Sequence, residues 1–311
     1  MKFNILITAF PFVNEYKRLR KLFINSNFNI KVVKTTQSLK EKDLLKLVEN
    51  IDGILCGDDE INEKVLKKAN KLKVLSKWGT GIDSIDLEAC KKLNIKVYNT
   101  PGAFTESVAT QALALILNFN RKILQNHNNI QKGIWNKLEG LTLVKKNIGI
   151  IGLGNIGLRI AELLVPFNSK VFGNDIKKIS KKKLKKFKIS FKSKNFIYQK
   201  SDIIILATDL NDTTKHLINS KLSKLIKSKP LIINIARGPI IEEKALIFLL
   251  QKKIIKGACL DVFEYEPLTK KSKLIKFNNV ILTSHNAFNT KDEVNKVHLN
   301  TYKNLIIGLK K

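Results

Sequence analysis

A glycine-rich segment carries the strongest local signal in the sequence. The letters GLGNIG place Gly152, Gly154 and Gly157 after an apolar run and at the start of a helical pattern. The first glycine permits a tight turn, the second lets the backbone approach a pyrophosphate, and the third lets helix pack closely on strand. The N–H groups of Asn155 and Ile156 would meet the phosphates at the positive end of that helix. The pattern predicts a dinucleotide-binding site.

An acid follows at the distance that a ribose contact needs. The next predicted strand, KVFGND, ends in Asp175, eighteen residues after Gly157. A carboxylate there can accept a hydrogen bond from the 2′-OH of an adenosine ribose, and it would repel the 2′-phosphate of NADP. NAD is therefore the predicted cofactor, with Lys177 and Lys178 close enough to soften the repulsion.

An arginine ends another apolar run. Arg237 follows the letters LIINIA and precedes a turn, GP. Arginine occurs at only five positions of the chain, so one at a strand end suggests a contact that lysine cannot make. A guanidinium grips a carboxylate through two parallel hydrogen bonds, which suits an α-keto acid. A surface arginine that caps the turn is the alternative.

A histidine and several acids end the neighbouring predicted strands. His285 follows VILTS, and the segment DVFEYEP after GACL contains Asp261, Glu264 and Glu266. Because the carboxyl ends of strands face one crevice in open α/β sheets, we expect these side chains to share a site with Arg237. A histidine next to an acid is typical of general acid–base chemistry.

The elements that must position these residues alternate along the chain. Short apolar runs separated by helical patterns indicate βαβ units and parallel sheets. The predicted strands of a first series cover residues 3–7, 30–33, 53–55, 74–76 and 95–97. Those of a second series cover 147–151, 170–172, 202–206, 231–234, 257–260 and 280–282. A long helical stretch at about 105–131 separates the series, so two α/β domains are predicted, and the helical segment 290–311 is expected to return to the first.

The charge of the chain first suggests a nucleic-acid partner. Lysine and arginine total 57 against 26 acids, a formal charge of +31. Proteins that read nucleic acids favour arginine for guanine and phosphate, however, and this chain nearly avoids it. Lysine, isoleucine and asparagine are abundant here and share A/T-rich codons. Biased composition explains the charge better than binding does, so no nucleic-acid partner is expected.

Other compositional features exclude further classes. Cys56, Cys90 and Cys259 are widely spaced and odd in number, which fits neither a disulfide framework nor a metal site and indicates a reducing, cytoplasmic location. No apolar run approaches the roughly 18 residues that a membrane span needs. The lysine-rich tract 177–194 is expected to form a solvated helix face and loop rather than an anion site.

Several motifs occur in an order typical of one family. Residues 77–86 read KWGTGIDSID and residues 99–102 read NTPG, and they are followed by GLGNIG, IARGPII, LDVFEYEP and TSHNAF. With these motifs the sequence resembles the D-isomer-specific 2-hydroxyacid dehydrogenases, the family that includes phosphoglycerate dehydrogenase. The resemblance implies an α/β fold of two doubly wound parallel-sheet domains. A Rossmann NAD-binding domain, residues 101–287, would be inserted into a flavodoxin-like substrate domain made of residues 1–100 and 288–311.

The resemblance also implies roles for the strand-end residues. Arg237 would clamp the substrate carboxylate and polarise the keto oxygen, and His285 would exchange a proton with that oxygen. Glu266 would hold His285 and favour its protonated form, since the family places this acid directly before proline. Glu264 is the rival acid for that role. Asp261 would contact the nicotinamide amide.

Further expectations concern the substrate and the assembly. Thr80 and Gly81 would offer main-chain N–H groups to the substrate carboxylate, and Ala207 would line the cofactor. The implied reaction is hydride transfer between NAD and a small D-2-hydroxy acid or 2-keto acid, with 3-phosphoglycerate, glyoxylate and hydroxypyruvate left open. Lys77 is the candidate cation for a phosphorylated substrate. The resemblance implies a homodimer, with the helical stretch 105–131 as its surface.

Three residues depart from the family pattern. Ser284 and Asn286 flank His285 where the family has a proline and an apolar residue, and Asp209 lies in the cofactor-lining segment ATDL. These departures leave open another class of function, a nucleotide-sensing, co-repressor-like binding protein without turnover. A steep salt dependence of DNA binding would favour that class. Oxidation of formate or phosphite on the same scaffold is a third hypothesis.

Overall fold

The computed structural model describes residues 2–24 and 26–310. The chain separates into two compact units, one of residues 1–104 with 290–311 and the other of residues 105–289. The strands are β1 (Phe3–Ile7), β2 (Phe28–Val32), β3 (Gly53–Cys56), β4 (Val74–Lys77), β5 (Lys96–Tyr98), β6 (Asn147–Ile151), β7 (Lys170–Asn174), β8 (Ile189–Phe191), β9 (Ile203–Leu206), β10 (Leu231–Asn234), β11 (Gly257–Leu260) and β12 (Val280–Leu282).

The α-helices connect these strands or cover their sheets. They are α1 (Phe10–Asn14), α2 (Tyr16–Leu19), α3 (Glu41–Leu44), α4 (Glu63–Lys68), α5 (Leu87–Lys92), α6 (Thr105–Arg121), α7 (Ile123–Gln131), α8 (Asn155–Leu164), α9 (Lys181–Lys186), α10 (Lys194–Lys200), α11 (Glu243–Gln251) and α12 (Lys291–Lys310). None of the helices in the described residues is long and apolar enough to cross a membrane.

The first unit is built on a parallel sheet with the strand order β2-β1-β3-β4-β5. This is the flavodoxin-like order: β2 is added on one side of β1, and the later strands are added on the other side, beginning with β3. Helix α12 packs on β3, β4 and β5. Gly308 permits the close approach, because a Cβ there would overlap Val74, and the hydroxyl of Ser76 donates to the carbonyl of Thr301 over 2.7 Å.

The second unit contains a parallel sheet with the order β12-β11-β10-β9-β6-β7-β8. The order reverses between β6 and β9, so the carboxyl ends of these two strands border the crevice where such sheets bind ligands. Strands β9, β10 and β11 are buried along their whole length, which explains why β9 and β10 consist almost entirely of Ile and Leu. The predicted α/β class with two parallel, doubly wound sheets is confirmed.

Two local predictions were right only in part. The predicted helical stretch 105–131 is divided into α6 and α7, because Lys122 adopts a left-handed conformation with φ of 54° and the helical hydrogen bonding restarts after it. The lysine-rich tract, predicted as helix face and loop, also contains β8, which pairs with β7 at the edge of the sheet. Ile189 is the buried residue of that strand, so one apolar contact fixes a strand whose other residues are exposed.

Candidate active site

The glycine-rich loop joins β6 to α8 at the reversal of the second sheet. Gly152 has φ of 97°, and a Cβ there would overlap the carbonyl of Ala207 at the end of β9. A Cβ on Gly157 would overlap the carbonyl of Gly152, so only glycine lets α8 pack against the turn. A Cβ on Gly154 would instead meet open space among the described residues. The first and third glycines therefore shape the turn, and the second leaves room above it.

The N-terminus of α8 faces that space without a side-chain cap. Gly154 is the N-cap residue and offers no side chain to the first turn, which begins with Asn155 and Ile156. The N–H groups of a first helical turn have no partner within the helix and carry partial positive charge. An open glycine position next to an uncapped ten-residue helix fits a pyrophosphate.

Asp175 links the end of β7 to the glycine-rich loop. One of its carboxylate oxygens accepts the N–H of Leu153 over 2.7 Å, and the other accepts the N–H of Lys177 over 2.7 Å. A carboxylate has about four acceptor positions, so these two bonds leave capacity for ribose hydroxyls. The residue is half-buried, and Lys177 and Lys178 are exposed beside it.

The strand-end residues predicted to share a site lie on three adjacent strands. In the sheet register, Asn234 of β10 pairs with Leu260 of β11, and Leu260 pairs with Leu282 of β12. Asp261 directly follows β11, and Arg237 and His285 each come three residues after the ends of β10 and β12. The carboxyl edge of the second sheet carries them all.

His285 makes a short contact with Glu266. The Nδ1 atom of His285 lies 2.7 Å from Oε2 of Glu266, and each side chain is about one-fifth exposed. The other carboxylate oxygen of Glu266 accepts the N–H of Phe263 over 2.9 Å, which fixes the acid against its own loop. A histidine that a carboxylate holds at Nδ1 can exchange a proton with a ligand through Nε2.

Glu264, the rival acid, is engaged elsewhere. One of its oxygens lies 2.7 Å from Nε2 of His216, and the other accepts the N–H of Glu243 at the start of α11 over 2.9 Å. The two acids of the EYE segment thus have separate histidine partners. The segment is a series of bends rather than an extended strand, so these two side chains need not share a face.

Asp261 organises the loop that carries His285. It is 1% exposed, and its carboxylate accepts hydrogen bonds from the hydroxyl of Thr283 (2.6 Å) and from the N–H groups of Asn286 (2.9 Å) and Ala287 (3.0 Å). Its backbone carbonyl accepts the N–H of His285 over 2.7 Å. The hydrogen bonds of Asp261 hold the loop that carries His285 in place. Its contact with the nicotinamide stays a prediction.

The Arg237 loop packs directly against the loop of the acids. A Cβ on Gly238 would overlap the carbonyl of Phe263, so the two loops touch through main chain. Asn234, 1% exposed, donates from its amide to the carbonyl of Arg237 over 2.9 Å and accepts the N–H of Ala236 over 3.1 Å. Asn234 was not among the residues predicted from the sequence. The feature that could have identified it is a polar side chain at the end of an otherwise apolar buried strand.

Thr80 and Gly81 belong to the first unit, where they follow β4. Gly79 precedes them with φ of 113°. The hydroxyl of Thr80 donates to the carbonyl of Thr100 over 3.2 Å, and the amide of Asn99 donates to the carbonyl of Thr80 over 2.7 Å. The segment is thereby tied to the end of β5.

The residues that depart from the family pattern face outward. Asp209 is exposed, and so are Ser284 and Asn286 on either side of His285. Asn286 contributes its main-chain N–H to Asp261, a contact that does not depend on its side chain. The departures therefore leave the internal hydrogen bonding of the loop intact. No cluster of three or more His, Cys, Asp or Glu suited to a metal ion occurs within residues 2–24 and 26–310.

The fold and this sheet edge define a Rossmann-type nucleotide-binding protein with a histidine–carboxylate pair at strand ends. Residues 113–287 match the family model described as "D-isomer specific 2-hydroxyacid dehydrogenase, NAD binding domain". The chain is 36% identical over 276 residues to glyoxylate reductase of Thermofilum pendens, a match that covers 86% of this chain and 81% of that protein. It is 31% identical to hydroxypyruvate reductase of Thermotoga maritima, over 85% of this chain and 86% of that protein.

A solved structure agrees over almost the whole chain. D-lactate dehydrogenase of Aquifex aeolicus, complexed with NAD and lactic acid, superimposes with a TM-score of 0.87 at 27% identity, covering 99% of this chain and 96% of that one. The chain belongs to the D-isomer-specific 2-hydroxyacid dehydrogenase family. It is an oxidoreductase that acts on the CH–OH group of 2-hydroxy acids with NAD(P), which confirms the predicted enzyme class.

Proposed function

We propose that this enzyme reduces a small, unphosphorylated 2-keto acid of the size of glyoxylate or hydroxypyruvate with NADH. The single observation that carries the proposal is the 2.7 Å contact of His285 with Glu266 at the sheet edge that also carries Arg237. The names of relatives similar over most of the chain, glyoxylate reductase and hydroxypyruvate reductase, support this choice of substrate.

His285 would supply the proton. Its Nδ1 is held by Glu266, so a protonated ring presents Nε2–H to the keto oxygen as that oxygen gains charge. The carboxylate of Glu266 stabilises the imidazolium and fixes the ring orientation. In the reverse direction the neutral ring takes the proton from the hydroxyl group. The pair of His285 and Glu266 would thus contribute a correctly placed proton donor and a stabilising negative charge.

Arg237 would hold the substrate. Its planar guanidinium can grip the carboxylate of a keto acid through two hydrogen bonds and polarise the adjacent keto oxygen. The rigid packing of its loop against the loop of Glu266 would keep both groups in register. In the first unit, the main-chain N–H groups of Thr80 and Gly81 would offer donors for a substrate carboxylate.

The cofactor would lie on the glycine-rich loop, with Gly152, Gly154 and Gly157 shaping its phosphate site and Asp175 on its adenosine ribose. When bound, the nicotinamide supplies or accepts the hydride. We favour NAD over NADP because the half-buried Asp175 would repel a 2′-phosphate.

The cation predicted for a phosphorylated substrate already has a partner. The side chain of Lys77 is 3% exposed, and its ammonium lies 2.9 Å from the carboxylate of Asp58 and 3.1 Å from the carbonyl of Trp78. A buried ammonium that is neutralised by its own acid has little remaining attraction for a phosphate. This pair supports a small substrate over 3-phosphoglycerate.

The proposal includes a homodimer and a reducing, cytoplasmic location. The cysteines Cys56, Cys90 and Cys259 are free and buried, which supports a reducing compartment. A group of exposed apolar side chains on α7 and the segment after it supports a second copy of this chain as partner. Its members are Ile123, Leu124, Ile130, Ile134, Trp135, Leu141 and Val144.

The test is a panel of keto acids followed by the decrease in NADH absorbance. Glyoxylate and hydroxypyruvate are expected to be reduced at least tenfold more efficiently, in kcat/KM, than phosphohydroxypyruvate, because Lys77 is neutralised. His285→Ala is expected to abolish turnover and leave NADH binding unchanged. Absence of turnover on every keto acid with NADH binding intact would contradict the proposal.

A further inference from the structure

A fully buried histidine in the first unit contacts the segment assigned above to the substrate carboxylate. His298 lies on α12 with 0% of its surface exposed. Trp78, directly before Gly79, donates its indole N–H to Nδ1 of His298 over 3.0 Å. The C-terminal helix therefore reaches the loop after β4 through a hydrogen bond between two side chains.

This bond fixes the proton on the histidine ring. An indole N–H only donates, so Nδ1 of His298 must present its lone pair and the neutral ring carries its proton on Nε2. Nε2 lies 3.5 Å from Oε1 of Glu15, longer than a normal hydrogen bond, and has no hydrogen-bond partner in the described part of the chain. The ring is therefore held in one tautomer by Trp78.

The groups around His298 shift its pKa in both directions, with a net lowering. Burial lowers the pKa of His298, the carboxylate of Glu15 opposes that shift, and the guanidinium of Arg18 adds to it. Arg18 hydrogen-bonds both Glu15 and Asn295, the latter on α12 itself. The other elements packed on the ring contribute neutral groups, the indole of Trp78 from the loop after β4 and the phenyl ring of Phe12 from α1.

The rest of the Trp78 segment is also fixed. The N–H of Trp78 donates to the carbonyl of Cys56 over 2.8 Å, and the carbonyl of Gly79 accepts the N–H of Thr100 over 3.0 Å. These bonds hold the main chain of the segment to the strands on both sides of β4, whereas the bond to His298 acts on the indole side chain. Trp78 is 4% exposed and packs on Phe104 with ring centroids 5.4 Å apart.

We infer that His298 is a positioning residue for substrate binding. By accepting the indole N–H of Trp78 it orients the loop whose Thr80 and Gly81 would bind the substrate carboxylate. The inference rests on the proposed function of that loop. Protonation of His298 places a second N–H opposite the indole N–H, so this bond breaks and the loop loses its side-chain link to α12, while its main-chain hydrogen bonds remain.

The inference predicts an acid limb in the pH profile, that is, a rise of the KM for the keto acid at low pH. In keto-acid reduction His285 must begin protonated, so its titration reduces activity on the alkaline side. Protonation of His298 would instead raise the KM for the keto acid at a pH below the ordinary titration range of histidine, because burial lowers the pKa of His298, with kcat little changed. The two histidines thus affect opposite limbs.

Variants of His298 test the inference by steady-state kinetics with hydroxypyruvate between pH 5 and 8. His298→Leu removes the acceptor and is expected to raise the KM about tenfold at every pH, the size of one lost hydrogen bond, with kcat within about twofold. His298→Asn keeps an acceptor near the position of Nδ1 and is expected to restore the KM to within about threefold while removing the acid limb. The control is Asn300→Leu on the exposed side of α12.

An activity-independent measurement follows the indole N–H of Trp78 by nitrogen-15 NMR. The chain has two tryptophans, so Trp135→Phe assigns the remaining resonance. The Trp78 resonance is expected to shift with pH in the wild type and to lose that transition in His298→Asn. A transition that persists in His298→Asn, or an unchanged KM in His298→Leu, would overturn the inference. Absence of keto-acid turnover with the NMR transition present would contradict the proposed function and leave the Trp78–His298 coupling supported.

Discussion

His285 is held by its neighbours in a backbone conformation that a histidine rarely adopts. Its φ is 52°, in the left-handed region that costs a non-glycine residue about 1 kcal/mol or more. Three main-chain N–H groups, those of His285, Asn286 and Ala287, donate to Asp261 and offset this cost. The ring is thereby presented on a fixed main chain next to Glu266, as acid–base chemistry requires.

The two acids after β11 are expected to differ sharply in their effect on catalysis. Glu266→Gln removes the charge that stabilises protonated His285 and should lower kcat about 100-fold, the lower range for loss of acid–base assistance. Glu264→Gln is the matched control, because its carboxylate contacts His216, and kcat should stay within about threefold. Stopped-flow reduction of glyoxylate measures both, and equal losses in kcat would contradict the separate pairing.

At the scale of elements, a hydrogen bond joins the end of β7 to the loop before helix α8. Asp175 accepts the N–H of Leu153, so the carboxylate proposed to bind the ribose also shapes the glycine-rich loop. Arg159 reinforces α8 by pairing with Glu106 of α6 at 2.7 Å and with Glu162 at 2.8 Å. The pair with Glu106 links α8 to α6, the pair with Glu162 lies within α8, and neither involves the N-terminus of α8 proposed for the phosphates.

Cofactor choice is expected to depend on the charge of Asp175. Asp175→Asn keeps an acceptor for Leu153 but removes the negative charge, so kcat/KM for NADPH relative to NADH should rise roughly 10- to 100-fold. Asp209→Asn, at an exposed acid of the neighbouring loop, serves as control and should leave that ratio unchanged. Parallel assays with both cofactors decide the point, and a constant ratio in Asp175→Asn would remove Asp175 from the discrimination.

On the scale of the whole molecule, the exposed apolar side chains are concentrated after the break at Lys122. Helix α6 has buried residues along its length, whereas α7 has none. The sequence predicted the whole stretch 105–131 as the dimer surface, and we propose α7 with the segment that follows it instead. Trp135 is 85% exposed, an unusual state for a large aromatic ring in an isolated chain. A second copy that covers this surface would remove that cost.

The proposed dimer gives a direct prediction in solution. Wild-type protein is expected to show twice the monomer mass by light scattering, and Trp135→Glu should shift it to the monomer because a buried charge is costly. Ile176→Glu, at an apolar residue 82% exposed elsewhere, is the control and should leave the mass unchanged. A monomeric wild type, or an unchanged mass for Trp135→Glu, would contradict this surface.

The sequence by itself determined the local features of this protein. Nine of the strands coincide with or lie within one residue of their predicted limits, among them β1, β6 and β10, because a short apolar run bounded by turn residues indicates a buried parallel strand. The glycine-rich loop was equally readable, since Gly152 and Gly157 occupy positions where any Cβ would overlap main chain. Such constraints act within a few residues.

Only the tertiary structure decided which partners meet. Glu264 and Glu266 are two residues apart, yet one contacts His216 and the other His285, which neither spacing nor composition could assign. Trp78 and His298 are separated by 220 residues and meet because α12 returns to the first sheet. Hydrogen-bond partners are chosen by the packing of distant elements, so they appear only once the chain is folded.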